Sequence, residues 1–147
     1  MFIKCQKLIN RNNLQHKIIL KGRVPWQELL ESMHSAKCFL FTSLRDSFGS
    51  QVLEAAASGT PTVSTSDITA AEWIKEPALI FGSEDSVKNR IEQLSEGLQR
   101  VLSMNKAEWR SSSNAAINFA RNHSTENRKV ELGKIYRSIV NSKKSNR

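Results

Sequence analysis

Four short apolar runs of strand type constrain this chain more than any other feature: Ile18-Ile19-Leu20, Cys38-Phe39-Leu40-Phe41, Thr62-Val63-Ser64-Thr65 and Leu79-Ile80-Phe81. Helical patterns separate the first three. Trp26 to Ser35 places Trp26, Leu29, Leu30 and Met33 on one helical face after Pro25, and Ser50 to Ser58 is alanine-rich and stopped by Gly59 with Pro61 beyond it. Apolar strands alternating with helices at intervals of about 20 residues predict βαβ units. The expected fold is therefore α/β, with a parallel sheet of about four strands flanked by helices.

Beyond Phe81 the pattern changes to helices only. Val87, Ile91, Leu94, Leu98, Val101 and Leu102 form a stripe, with Ser83 or Asp85 as the expected cap. A second helix is expected over Lys106 to Arg121. A third follows the N-cap candidate Ser124, with Val130, Leu132, Ile135, Tyr136, Ile139 and Val140 turned inward. Residues 1–141 read as one domain, without an internal repeat or linker, and residues 142–147 as a disordered basic tail.

Composition narrows the functional classes. Of 147 residues, 39% are hydrophobic and only 6 are Gly and 3 Pro, which suits a chain that buries a core and excludes collagenous and disordered classes. No run approaches a membrane span, and the start lacks the apolar centre of a signal peptide, so a cytoplasmic protein is expected. Cys5 and Cys38 form neither a metal spacing nor a disulfide framework. Cys38, flanked by Phe39, Leu40 and Phe41, is expected as a buried thiol of raised pKa. His16, His34 and His123 have no metal-ligand spacing, and Trp26, Trp73 and Trp109 are expected to anchor packing. The net charge of +8 favours anionic partners, among them weak contact of the basic tail with anionic lipid. The charges are spread without a nucleic-acid motif, so nucleic acid is not an expected partner.

Chemistry concentrates in Ser43 to Pro61, at the carboxyl end of an expected strand, where ligands sit in open α/β sheets. The first turn of the following helix offers unsatisfied amides and a partial positive charge, so a phosphate near Gly49 to Val52 can be held by backbone. Asp46 precedes this helix and Glu54 follows eight residues on. Two hydroxyl-accepting carboxylates around a phosphate cradle suit a sugar nucleotide, one on a sugar and one on a ribose. The same residues also read as a helix cap and a solvated helix face, and spacing alone leaves both readings open.

Asp46-Ser47-Phe48-Gly49, Leu53-Glu54-Ala55 and Ser58-Gly59-Thr60-Pro61-Thr62-Val63 resemble the signature of retaining GT-B glycosyltransferases of family 4, the group 1 glycosyl transferases. That signature runs acidic residue, any residue, Phe-Gly, then Leu-Glu-Ala and Gly-x-Pro-Val-Val, and the spacing of the two acids matches. Ile19 to Pro25 resembles the family's strand ending in Gly-x-Val, and Ser35 to Ser43 its Ala-Asp-hydrophobic-Pro-Ser stretch. The resemblance covers about residues 8 to 140. It implies the donor-binding half of a GT-B fold, an incomplete Rossmann-like sheet that begins near the domain's second helix, without the acceptor-binding domain or the first strand.

The resemblance further implies a nucleotide-sugar donor, retaining transfer, no metal or other cofactor, and a place in polysaccharide or glycolipid biosynthesis. Asp46 would contact the donor sugar and Glu54 the ribose. Phe48, Gly49, Ser50 and Gln51 would offer amides to sugar and diphosphate, and Gly22, Arg23 and Val24 would border the nucleobase. Asp46 stands where Glu is commoner, and Glu72 in Thr69-Ala70-Ala71-Glu72 is a further candidate for the pocket. The cations that neutralise the diphosphate in relatives belong to the part not matched, so the chain by itself is expected to be inactive and to need a separate acceptor-binding chain. Localisation follows as cytoplasmic, peripheral at the inner membrane face. The alternative is a non-catalytic nucleotide- or partner-binding module.

Overall fold

A computed structural model describes residues 2–43, 48–65, 79–81 and 86–145. In chain order they form α1 (Phe2–Arg11), α2 (Trp26–Ser35), β1 (Phe39–Phe41), α3 (Ser50–Ala57), β2 (Thr62–Thr65), β3 (Leu79–Phe81), α4 (Val87–Ser103), α5 (Lys106–Asn122) and α6 (Thr125–Ser145). The strands form one parallel sheet of order β1-β2-β3, with Phe39 opposite Thr62 and Val63 opposite Leu79. The architecture is α/β and partially Rossmann-like, and β1-α3-β2 is its βαβ unit.

Three of the four expected strands form. Ile18–Leu20 does not: it has no ladder partner among the described residues, and Ile19 is 81% exposed. An apolar run becomes a strand only where a neighbour satisfies its amides and carbonyls. At the sheet centre β2 is buried throughout although it reads Thr-Val-Ser-Thr. Two of its three hydroxyls are accommodated by backbone, Ser64 Oγ donating to Thr65 O at 2.9 Å and Thr65 Oγ1 to Ser43 O at 3.0 Å, while Thr62 Oγ1 is buried without a hydrogen-bond partner among the described residues.

α3 ends in a Schellman motif: Gly59 N–H donates to Ala56 O at 3.0 Å and Thr60 N–H to Ala55 O at 2.9 Å, with Gly59 left-handed at φ +75°. The turn brings α3 against α5. The buried residues there are small, Ala55 and Ala56 on α3 and Ser112, Ser113 and Ala116 on α5, which permits close helix approach. α5 is started by a capping box, Asn105 Oδ1 accepting from the Glu108 amide at 3.1 Å while Glu108 Oε2 accepts from the Asn105 amide at 2.9 Å. Trp109 Nε1–H donates to Lys37 O at 2.7 Å, so this tryptophan anchors packing as expected.

The helices after β3 depart from expectation in four ways. Ser86, rather than Ser83 or Asp85, caps α4, accepting from Asn89 N; Ser83 and Asp85 lie outside the described residues. Val87 and Ile91 are exposed, because α4 turns Gly97 and Val101 to the core. α6 begins after Ser124, whose Oγ accepts from Asn127 N at 3.3 Å, and it runs to Ser145, through most of the segment expected as a disordered tail. Its apolar residues Val130, Leu132, Ile135, Tyr136, Ile139 and Val140 point outward, not inward. Periodicity locates an apolar stripe but does not supply the surface that covers it.

Candidate functional site

β1 leads, through residues that include Leu44 to Ser47, into the amino end of α3. Gly49 makes the turn at φ 79° and ψ 49°, a left-handed conformation that costs glycine little and a residue with a Cβ about 1–2 kcal/mol. Its carbonyl accepts from the Val52 amide at 2.9 Å. Gly49 is buried and Phe48 half-buried, while Ser50 and Gln51 are exposed, so the first turn of α3 opens to solvent. Helix amides and the partial positive charge of that end favour an anion placed there. Asp46 and Glu72, the other expected acids, lie outside the described residues.

Glu54 sits on the same helix, about 6 Å further along its axis. With Ala57 and Ser58 it faces Trp26, Gln27, Leu30, Glu31 and His34 of α2 across a groove of about 580 Å³. Its carboxylate has no hydrogen bond or ion pair among the described residues, and desolvation raises its pKa above the ordinary carboxylate value. Glu54 is half-buried there, and carboxylates partly desolvated in a groove cluster at functional sites.

The loop bearing Gly22, Arg23 and Val24 feeds directly into α2. Gly22 is left-handed at φ 69°, and the loop is tied to the first turn of α2 by the Lys21–Glu28 ion pair at 2.9 Å. The loop thus leads into α2, and α2 shares the groove with Glu54. Trp26 departs from the packing role expected of it: it is 56% exposed and lines this groove. Its signal was available in the sequence, an aromatic two residues after Val24 at the first position of a helix. Trp73 lies outside the described residues.

Other candidates engage the scaffold instead. His34 Nδ1 lies 3.3 Å from Ser58 O, and His123 Nδ1 lies 2.9 Å from Phe119 O. Burial pushes the Cys38 thiol up to about 11, against a backbone hydrogen bond from Val63 that lowers it. At pH 8 only about one Cys38 in a thousand is thiolate. Iodoacetamide at that pH is expected to modify Cys5 well before Cys38, read by peptide mass; equal labelling would contradict the burial of Cys38.

A family model described as Glycosyl transferases group 1 matches residues 2–122, from the start of α1 to the end of α5. A search of curated proteins finds no match. The family match thus ends before α6, whereas the motif resemblance had extended to about residue 140.

Proposed function

This chain belongs to the group 1 glycosyl transferases, and on that premise we propose that it binds a nucleotide-sugar along the flank formed by α3, α2 and the Gly22–Val24 loop. The diphosphate rests at the amide end of α3, against Phe48, Gly49, Ser50 and Gln51. Glu54 accepts the ribose hydroxyls, Gly22, Arg23 and Val24 border the base, and Asp46 receives the donor sugar. Transfer is of the retaining, metal-independent kind. The observation that carries this reading is Glu54: a desolvated carboxylate without a partner among the described residues, one turn from a helix amino end that opens to solvent. A nucleoside diphosphate would bring hydroxyl donors to the acid and an anion to the exposed turn at Ser50 and Gln51.

Departure of the diphosphate develops negative charge, which must be stabilised where it forms. Among the described residues the groove lining holds Glu31 and Glu54 but no Lys or Arg. That composition favours a chain that binds the donor and depends on a separate acceptor-binding chain for transfer. It also supports the second reading, a binding module without chemistry.

Titration calorimetry with uridine and guanosine diphosphates separates these readings from a site that does not exist. The expected result is binding of one diphosphate per chain and no sugar transfer by the chain alone. Absence of binding to either nucleotide would overturn the site, and robust turnover by the chain alone would overturn the dependence on a partner. Transfer that appears on adding an acceptor-binding chain supports the enzyme; binding that never leads to transfer supports the module.

A further inference from the structure

We propose that Trp26 is the platform on which the base of the bound nucleotide stacks, an assignment that rests on the donor reading given above. The two tryptophans among the described residues behave differently. Trp109 donates its indole N–H to Lys37 O at 2.7 Å and holds the scaffold together. Trp26 makes no hydrogen bond among the described residues and leaves 56% of its surface open. It opens into the groove of about 580 Å³ that also holds Glu54, so a ligand in that groove can cover the ring.

The backbone of Trp26 is set on both sides. Pro25, at φ −58°, fixes the chain before it and α2 fixes the chain after it, so a ligand that lands on the ring orders little besides itself. Leu30, one turn further along α2, and Ala57 of α3 continue the apolar lining of the groove. A flat apolar wall and a hydroxyl acceptor in one groove match a nucleoside, which joins a planar base to a ribose diol; a bare diphosphate uses neither. The Gly22–Val24 loop ends directly before Pro25, so one continuous stretch of chain, Gly22 to Trp26, meets the base at its edge and at its face. Every base has a π-face, so this stack selects a nucleotide over a diphosphate without choosing among bases.

Calorimetric titration of the full chain, W26A and W26F with uridine diphosphate and with guanosine diphosphate tests this. W26A is expected to bind both about 5- to 150-fold more weakly, the range that loss of one base–aromatic stack gives, with unchanged circular dichroism. W26F keeps a flat ring and is expected to recover most of the affinity, which carries the test if W26A folds poorly. Stacking also quenches indole fluorescence. The wild type is expected to dim on saturation with either nucleotide, and W26F to bind with a smaller quench. A wild type that binds neither nucleotide would overturn the donor site and this assignment with it. A wild type that binds, beside a W26A that binds within about twofold of it or a W26F that dims as much, would overturn the role of Trp26 alone. Quenching of Trp26 by a free monosaccharide, with nucleotide affinity unchanged in W26A, would likewise overturn it and place a sugar on the ring.

Discussion

A Glu54→Gln variant is expected to bind nucleoside diphosphate about 10- to 100-fold more weakly than the wild type, the loss of a charge-assisted hydrogen bond worth about 1.5–3 kcal/mol. The same variant is expected to melt higher at neutral pH. Burial raises the folded-state pKa of Glu54 above its ordinary value of 4.5, so the folded protein holds this proton more tightly than the unfolded chain. Between the ordinary and the raised value the native state binds more protons, and stability falls as pH rises through that window. Above it, the ionised carboxylate is a standing cost, which glutamine removes. Thermal melts at acidic and neutral pH, beside calorimetry with diphosphate, read both effects. A variant that binds as tightly as the wild type would remove Glu54 from the ribose site. One that melts lower at pH 7 would mean the carboxylate stabilises the fold through contacts outside the described residues.

Gly59→Ala is expected to cost about 3 kcal/mol of stability. Two terms add. The residue is left-handed at φ +75°, which costs alanine about 1–2 kcal/mol. Its new Cβ would stand 3.0 Å from Ser113 Oγ and 3.2 Å from Ile117 Cδ1, where α3 meets α5, and overpacking of that kind costs about 1–3 kcal/mol. Reduced freedom of the unfolded chain returns less than about 1 kcal/mol. The melting temperature is expected to drop by roughly 10 °C. A melt within about 2 °C of wild type would show that α3 and α5 do not pack as closely as described. Because the substitution acts at the carboxyl end of α3, remaining folded protein should still bind diphosphate at its amino end.

Much of the fold was legible because local chemistry and tertiary packing agree there. The Trp26–Ser35 helix follows from Pro25 and one apolar face, and α3 stops where Gly59 supplies a left-handed residue. Lys106–Asn122 differs from expectation by one residue, and its capping box is visible in Asn105 and Glu108. In the candidate site the helix start at Gly49 was legible, while Asp46, the acid expected before it, lies outside the described residues. What could not be read was orientation: only packing against α2 faces Glu54 into a groove and exposes Trp26 beside it.

The sequence by itself determined the helices and strands from Trp26 to Phe81, the parallel βαβ unit, the raised pKa of the Cys38 thiol and the family. These rest on short-range preferences and on the period of apolar residues, both properties of neighbouring positions. Tertiary structure alone decided that Ile18–Leu20 stays outside the sheet, that polar β2 occupies its buried centre, and that the stripe of α6 faces outward. The physical reason is common to all three. A strand needs a hydrogen-bonding neighbour, a buried hydroxyl needs a carbonyl and an apolar face needs a cover, and the chain's local pattern states each need without naming what meets it.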